Sequence, residues 1–195
     1  MAMHIQIAAR KDFKSPDLWE MHTLRAKVFK DRLGWEVPVL SGMEIDGYDA
    51  LDPMYMMIRE PGRGTLRGCW RLLPTEGPYM LKDSFPELLH GEIAPQNEHI
   101  WELSRFAIQT DCDSRFGLSQ ITLESFSEMV LYGRDHGIER YITVTTTSLE
   151  RLVRRAGVAV TRLGPPVQIG IEMAVALYID VDATYAALFG QRLDS

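Results

Sequence analysis

The sequence predicts a mixed α/β fold, a three-layer sandwich in which helices pack on both sides of a central sheet. Segments typical of strands outnumber segments with helical periodicity, and the two kinds are interspersed along the chain. This order of elements favours a sheet covered by helices. The chain has 195 residues, of which 46% are hydrophobic and 25% charged, so we expect a single domain spanning residues 1–195.

The amino-terminal part is predicted to hold a strand, a helix and a long loop. His4–Ala8 alternates weakly, and Ser15 followed by Pro16 predicts a helix N-cap with proline at the first helical position. Apolar residues then recur at helical spacing until Gly34. Residues 36–53 combine proline, glycine and acidic residues without a period, so we expect a loop, and long loops in compact domains are often functional.

The rest of the chain is predicted to continue with further strands and helices. The patterns predict strands over residues 55–59, 66–73, 100–108, 141–147 and 168–180, and helices over residues 83–89, 118–133 and 149–156. The segment 100–108 is apolar on both faces apart from a few charges, which is typical of a strand in the middle of a sheet.

Composition and charge exclude several classes of protein. The formal net charge of -6 argues against a nucleic-acid binder. Cys69 and Cys112 are the only cysteines, which is too few for a disulfide framework, and no Cys/His spacing indicates a metal site. No segment has the ~20 apolar residues that span a membrane, and the first residues do not resemble a signal peptide, so we expect no membrane span and a cytoplasmic protein.

Charged residues occur where the pattern calls for core residues. Arg25 shares its helix face with Val28 and Phe29, so it either extends to the surface or is a buried cation that needs an anion. The following loop carries three acidic residues in the string EIDGYD. These form either a solvated acidic loop or a cluster gathered by a cation.

The predicted central strand carries two more charges. Glu102 and Arg105 lie in IWELSRFAI, where they form either a structural pair or part of a site. Because burying charges is costly, a site is the better interpretation. We therefore predict a pocket of mixed charge that suits a zwitterionic or multiply charged small ligand, formed by Arg25, Asp46, Asp49, Arg71, Glu102 and Arg105.

The same strings resemble a known family. LRAKVFKDRLGW, EIDGYD, CWRLLP and WELSRFAI, with Phe85 between the last two, are similar to the acyl-homoserine-lactone synthases of bacterial quorum sensing. Weaker similarity continues through YITVTTTSLERLVRRAG and QIGIEMAVAL. The family pattern is matched in order by Arg25, Phe29, Trp35, Glu44, Asp46, Asp49, Arg71, Glu102 and Arg105.

The resemblance implies a fold, a reaction and two partners. The fold would be related to the GCN5-related N-acetyltransferases. The enzyme would acylate the amine of S-adenosylmethionine with a chain delivered by acyl carrier protein, then close the lactone and release 5′-methylthioadenosine. S-adenosylmethionine would bind in the amino-terminal half as a substrate, the acyl chain would bind in the carboxyl-terminal half, and no cofactor is implied.

The resemblance also implies roles for individual residues. Glu102 is the candidate base, and Asp46 and Arg105 complete the catalytic set. The residues expected to bind S-adenosylmethionine are Arg25, Phe29, Trp35, Asp46, Asp49, Arg71, Arg105 and Phe106. Without the resemblance, Phe29 and Trp35 would be interpreted as ordinary core aromatics.

Two further groups of residues are expected to recognise the acyl substrate. The acyl-chain pocket would be lined by Met80, Phe85, Leu103, Met129, Thr143, Thr145 and Leu149. The alternative is that the threonines reflect β propensity and the methionines fill the core. Acyl carrier protein is acidic and would dock on Arg151, Arg154, Arg155 and Arg162, which otherwise form a solvated face.

Two rival functions remain at this point. A conventional acetyl-CoA N-acetyltransferase would carry a glycine-rich pyrophosphate loop, but the equivalent string DSRFGLSQ has only Gly117. A non-catalytic protein that senses S-adenosylmethionine or an acyl chain would not need Glu102 together with both charge clusters.

Overall fold

The computed structural model of the chain describes residues 2–62, 64–109 and 120–190, which group into two compact units. Unit 1 is built from the described residues of Met1–Leu72 and Arg105–Thr122. Unit 2 is built from those of Leu73–Ser104 and Leu123–Ser195. Strand β6, Ile100–Ile108, contributes its first part to unit 2 and its last part to unit 1.

Unit 1 contains a helix packed on antiparallel strands. Its elements are β1 (His4–Ala9), α1 (Ser15–Ala26), β2 (Val39–Leu40), β3 (Met43–Glu44), β4 (Met54–Arg59) and nearly all of β5 (Leu66–Pro74). A π-helical segment, Lys27–Arg32, continues α1, and short 3-10 helices cover Arg10–Asp12 and Gly47–Leu51. Strand β4 pairs antiparallel with β1 and β5, and β5 neighbours β6.

Two predictions for this region need correction. Ser15 is not the N-cap of α1 but its first residue, because Lys14 holds the cap position and makes no side-chain capping bond. Residues 36–53 are not one loop. They contain the β2–β3 pair, which turns through left-handed Ser41 and Gly42, and a 3-10 helix that begins after Asp46.

Unit 2 contains most of the remaining helices and strands. They are α2 (Met80–Ser84), most of α3 (Gln120–Asp135), β7 (Arg140–Thr146), α4 (Thr147–Arg155), β8 (Val160–Arg162), β9 (Val167–Ile169), β10 (Glu172–Asp180) and α5 (Val181–Phe189). Strands β6 and β7 run parallel, whereas β10 pairs antiparallel with β7, β8 and β9. The sheet is therefore mixed, as the sequence predicts.

The remaining differences from the prediction lie in unit 2. The expected strand over 168–180 is a hairpin of β9 and β10, because Gly170 takes a left-handed conformation (φ 55°) between them. The expected helix over 83–89 divides into α2 and a 3-10 helix, Pro86–Leu89, because proline cannot continue the first helix. Helix α5 and strand β8 were not predicted. The expected start of the helix at residue 118 lies outside the described residues.

The hydrophobic core of unit 1 fixes the position of the charged residues. Met21 and Leu24 of α1 and Val28 of the π-helical segment share one core cluster with Tyr55 and Met57 of β4. Arg25 lies on this same buried face, so the packing carries its guanidinium into the interior.

Among the described residues, no helix combines the length and apolar character that a membrane crossing requires.

Candidate active site

Arg25 lies at the centre of a buried charged cluster in unit 1. The residue is 0% exposed. Nη1 and Nη2 donate to the two carboxylate oxygens of Asp49 at 2.8 and 2.9 Å, and Nε donates to Glu44 Oε2 at 2.5 Å. Since a buried cation without an anion is strongly destabilising, the two acids explain how arginine is accommodated here. Arg25 is therefore a buried cation, and the surface alternative is wrong.

Asp49 collects more donors than any other acid of the cluster. Besides Arg25, its carboxylate accepts hydrogen bonds from Arg71 Nη1 at 3.0 Å, from Tyr55 Oη at 2.6 Å and from the backbone amide of Asp46 at 2.9 Å. Burial alone would raise the pKa of this carboxyl. The bonds and charges of Arg25, followed by Arg71 and Tyr55, outweigh burial and hold the pKa well below its usual range.

Asp46 and Arg105 form the more accessible side of the cluster. Asp46 Oδ1 lies 2.5 Å from Arg71 Nη1, and Asp46 Oδ2 lies 2.7 Å from Arg105 Nη2. Arg105 Nε also donates to Glu44 Oε1 at 3.0 Å. The side chains of Asp46 and Arg105 are 11% and 12% exposed, whereas that of Arg71 is 0% exposed. A ligand therefore meets Asp46 and Arg105 first.

The backbone at Arg105 is unusual for a strand. Its φ is 55°, in the left-handed region that non-glycine residues rarely adopt. This conformation interrupts the regular alternation of side chains along β6, so the two-face pattern expected for IWELSRFAI does not continue through it. Such strain persists where the surroundings enforce it, here by the ion pairs to Glu44 and Asp46.

The cluster is electrically balanced. Three guanidinium groups face three carboxylates, so the group as a whole is neutral, and the acidic string EIDGYD is no solvated loop. The members are Arg25, Arg71 and Arg105 with Glu44, Asp46 and Asp49. All six lie in unit 1.

A cavity of about 400 Å³ adjoins the cluster in unit 1. Its lining residues are Arg10, Ser15, Leu18, Trp19, His22, Met43, Ile45, Asp46, Asp49 and Ala50. Two of these, Asp46 and Asp49, were predicted to bind the substrate. The other lining residues were not predicted. For His22 the sequence did carry a signal, because it lies three residues before Arg25 on α1 and thus one turn away.

His22 is a buried neutral imidazole in the wall of this cavity. The residue is 5% exposed, and Nδ1 lies 2.9 Å from the carbonyl oxygen of Glu44. A carbonyl can only accept, so Nδ1 carries the proton and Nε2 keeps its lone pair. Burial, followed by the charge of Arg25, lowers the pKa of His22.

Aromatic residues expected to bind the substrate also lie in unit 1. Phe29 and Trp35 stack with their ring centres 5.4 Å apart, and the Arg105 guanidinium lies 5.6 Å from the centre of the Phe29 ring. Trp35 Nε1 is buried without a hydrogen-bond partner among the described residues, which is uncommon for a buried donor. Phe106 packs edge-on against Trp70.

Glu102, the expected base, lies in unit 2. The residue is 1% exposed. Its two oxygens accept the backbone amides of Met80 at 3.0 Å and Leu81 at 2.7 Å, at the start of α2. These bonds fix the orientation of the carboxylate.

The residues expected to contact the acyl chain all lie in unit 2. Met80, Leu103 and Met129 are buried, whereas Phe85, Thr143, Thr145 and Leu149 are half-buried. Thr143 and Thr145 belong to β7, opposite Leu177 and Val175 of β10. Their placement is compatible with both the pocket and the simple β-propensity interpretation.

The four arginines of the expected docking surface are all exposed, but they are not equivalent. Arg154 Nε donates to Glu150 at 3.1 Å, and Arg162 makes bonds of 2.6 to 3.0 Å to the same carboxylate. Glu150 is 2% exposed. The hydrogen bonds from Arg162 are the main cause that lowers the pKa of the Glu150 carboxyl. One carboxylate thus joins α4 to β8 and offsets part of the positive charge.

The comparisons with known proteins decide the family. The autoinducer synthase family model matches residues 10–187. The acyl-homoserine-lactone synthase of Pseudomonas aeruginosa is 52% identical over 190 residues, covering 96% of this chain and 94% of its own. This chain belongs to the autoinducer synthase family.

Solved structures agree with this assignment. The structure of the synthase LasI has a TM-score of 0.88 at 52% identity, covering 96% of this chain and 95% of its own. BjaI, a CoA-dependent acyl-homoserine-lactone synthase solved with SAM and isopentyl-CoA, has a TM-score of 0.81 at 26% identity, covering 96% and 89%.

More distant structures bear on the fold alone. A protein from Lactobacillus plantarum described as an N-acetyltransferase has a TM-score of 0.62 at 12% identity, covering 93% of this synthase and 99% of its own chain. The expected mixed α/β sandwich related to N-acetyltransferases is confirmed.

In the described part of the synthase, no cluster of three or more His, Cys, Asp or Glu residues could hold a metal. The string DSRFGLSQ, used against coenzyme A binding, lies almost entirely outside the described residues.

Proposed function

We propose that this synthase joins an acyl chain from acyl carrier protein to S-adenosylmethionine and closes the product to an acyl-homoserine lactone. Residues 1–195 act as one synthase domain in the cytoplasm, with S-adenosylmethionine held in unit 1 and the acyl chain in unit 2. S-adenosylmethionine is a substrate, and no cofactor takes part. The observation that carries this function is the neutral, buried cluster of three arginines and three carboxylates beside a cavity of about 400 Å³.

The chemistry of S-adenosylmethionine matches this cluster. The substrate carries an ammonium group, a sulfonium group and a carboxylate, so it presents both signs of charge within a few bonds. Asp46 and Asp49 attract the cationic groups, and Arg105 attracts the carboxylate. Phe29 and Trp35 supply aromatic faces for the sulfonium or the adenine. Trp35 Nε1 adds a hydrogen-bond donor.

Arg25 and Arg71 serve this site indirectly. Both side chains are completely buried, and acids of the cluster occupy their guanidinium groups. The sequence led us to expect that both bind S-adenosylmethionine directly, and because of this burial we assign them instead the role of orienting Asp46, Asp49 and Glu44. Fixing charged groups before the ligand arrives reduces the reorganisation that the reaction requires.

The first bond forms between the α-amine and the acyl thioester. The ammonium group must lose one proton before its nitrogen attacks the carbonyl carbon. The thioester C–S bond then breaks, and a second proton from the nitrogen passes to the departing sulfur, so that the carrier leaves as a thiol. Glu102 is the proposed base, acting directly or through one water molecule. Its orientation by the Met80 and Leu81 amides supports this role.

The second bond closes the lactone. A carboxylate oxygen attacks the γ-carbon of the same molecule, and the C–S bond to the sulfonium breaks, which releases neutral 5′-methylthioadenosine. No proton is transferred, so this step needs a folded substrate conformation and not a strong base. Arg105 and Asp46 hold the two ends of the methionine moiety for this attack.

The acyl chain and its carrier are assigned to unit 2. Met80, Phe85, Leu103, Met129, Thr143, Thr145 and Leu149 form the acyl pocket. Acyl carrier protein docks on Arg151, Arg154, Arg155 and Arg162, because an acidic partner is attracted by an exposed basic surface. Arg151 and Arg155 are outside the Glu150 network and contribute the least compensated charge.

The test is a product assay. The purified protein is incubated with S-adenosylmethionine and an acyl carrier protein loaded with acyl chains of graded length. We expect equal amounts of 5′-methylthioadenosine and acyl-homoserine lactone, measured by chromatography and mass spectrometry. A sensor protein would release neither product, and a conventional N-acetyltransferase would release no methylthioadenosine, so either result contradicts the proposal.

A second candidate concerns the donor alone. BjaI is described as CoA-dependent, so acyl-CoA is the alternative acyl donor for this chain. The same assay with acyl-CoA in place of the loaded carrier protein separates the two. We expect the larger kcat/KM with the carrier protein, and the reverse order would assign coenzyme A as the carrier.

A further inference from the structure

The lining of the cavity of unit 1 combines two kinds of residue. Leu18, Met43 and Ile45 are apolar. Asp46 and Asp49 contribute carboxylates, and His22 contributes an imidazole. A ligand that suits this lining has hydrogen-bond donors as well as apolar surface.

The polar lining residues offer few unoccupied acceptors. Asp49 already accepts from Arg25, Arg71, Tyr55 and the Asp46 amide, so its capacity is largely used. Asp46 Oδ1 accepts from Arg71 and from the amide of Tyr48, whereas Asp46 Oδ2 is buried beside Arg105 Nη2 and accepts no hydrogen bond among the described residues. An incoming ammonium group has three donors, so it needs a further acceptor besides Asp46 Oδ2.

His22 supplies this acceptor. The bond of Nδ1 to the Glu44 carbonyl fixes the ring and leaves the lone pair on Nε2. Among the described residues, Nε2 makes no hydrogen bond, although the residue is 5% exposed and lines the cavity. An acceptor in the cavity wall that no described residue engages is available to a ligand.

We infer that this cavity recognises the α-amino-acid end of S-adenosylmethionine and that His22 Nε2 accepts a hydrogen bond from its ammonium group. This inference rests on the proposed function. Asp46 lies beside the same group and supplies the opposite charge. The carboxylate of the same ligand stays with Arg105, whose Nη2 lies 2.7 Å from Asp46 Oδ2.

In this assignment Asp46 and His22 have different roles in binding the ammonium group. Asp46 attracts the ammonium group by charge, whereas His22 fixes its direction without adding charge to the neutral cluster. His22 is therefore a substrate-orienting residue, and the proton transfer in the first step remains with Glu102.

Two variants separate the two nitrogens of His22. In His22→Asn the short amide reaches the position of Nδ1 and keeps a donor for the Glu44 carbonyl, but nothing replaces Nε2. In His22→Gln the longer side chain carries an amide oxygen to the position of Nε2, where it can accept. Circular dichroism and thermal melting of both variants establish that they are folded.

Binding is measured by titration calorimetry with two probes. S-adenosylmethionine carries the α-amino-acid end, whereas 5′-methylthioadenosine lacks it. We expect His22→Asn to weaken S-adenosylmethionine binding about tenfold or more, as the loss of one hydrogen bond to a charged group implies. Binding of methylthioadenosine stays unchanged, and His22→Gln restores most of the lost affinity.

The other outcomes overturn the inference. Equal weakening for both probes in His22→Asn assigns His22 a purely structural role. Unchanged binding of S-adenosylmethionine in that variant removes His22 from recognition. If the wild-type protein binds neither probe, the proposed function itself fails, and this result is distinct from the first two.

Discussion

Replacing Asp49 by asparagine is expected to destabilise the fold severely. The carboxylate accepts two bonds from Arg25 and one each from Arg71, Tyr55 and the Asp46 amide. Asparagine keeps the shape of the side chain but removes the negative charge and places an NH2 group against guanidinium donors. Three guanidinium groups, those of Arg25, Arg71 and Arg105, then share the two carboxylates of Glu44 and Asp46 in place of three.

The magnitude follows from the cost of breaking a buried ion pair. Removing one partner of such a pair typically costs about 3–5 kcal/mol, because the remaining charge is buried without compensation. For a chain of this length each kcal/mol lowers the melting temperature by about 2–4 °C, so we expect a decrease of about 6–20 °C. A loss of about 3–5 kcal/mol is a large share of the free energy of unfolding of a typical domain, which is about 5–15 kcal/mol.

The assay is urea unfolding at neutral pH, followed by circular dichroism, with thermal melting alongside. The matched control is Asp12→Asn, which removes the same charge at an exposed position of unit 1 and should change stability by less than about 0.5 kcal/mol. A loss below about 1 kcal/mol for Asp49→Asn would refute the reasoning, because it would mean that the cluster does not depend on this charge.

Three further predictions follow from the same contacts. The stability difference between wild type and Asp49→Asn should shrink progressively as pH falls below about 4. A carboxyl whose pKa is depressed in the folded state contributes its full stabilisation above its unfolded pKa and loses it as pH falls from there toward the folded pKa. A constant difference in acid titrations would contradict this. Glu102→Gln keeps one acceptor, for either the Met80 or the Leu81 amide, and cannot take a proton. We expect kcat to fall at least about 100-fold while calorimetry shows retained S-adenosylmethionine binding. Full turnover would exclude Glu102 as the base. Replacing Arg154 and Arg155 by glutamate should raise KM for the acyl carrier protein several-fold without raising KM for S-adenosylmethionine. If the variant and the wild type have the same KM for the acyl carrier protein, the docking surface lies elsewhere.

Local patterns predicted much of the fold. The bounds of β6 were predicted correctly, because both of its faces are apolar and turn residues precede it. The hairpin at Gly170 was missed, because the residues on either side continue a strand-like pattern through the turn. Helix α5 follows β10 directly and gives only the capping carboxylate of Asp180 as a signal.

The sequence predicted which residues form the candidate site but not which of them bond to each other. The sequence shows that Arg25 interrupts an apolar face, but its bonds to Asp49 and Glu44 join residues 24 and 19 positions apart, which no local pattern specifies. The three-residue spacing of Asp46 and Asp49 did carry a signal. Each side chain accepts a backbone amide at the start of the 3-10 helix, in the manner of a capping box.

The role of His22 could not be found in the sequence. A histidine on a buried helix face is ordinarily part of the core, and its tautomer depends on a carbonyl 22 residues further along the chain. Only the structure shows that Nδ1 is engaged while the ring lines a cavity.

The most direct test of the account is a crystal structure of the chain with S-adenosylmethionine bound. We predict density for the methionine moiety beside the charged cluster of unit 1, with the α-amine within hydrogen-bond distance of Asp46 or His22. A bound molecule whose methionine moiety contacts none of Asp46, His22 and Arg105 would contradict the claim that this cluster was assembled to hold it.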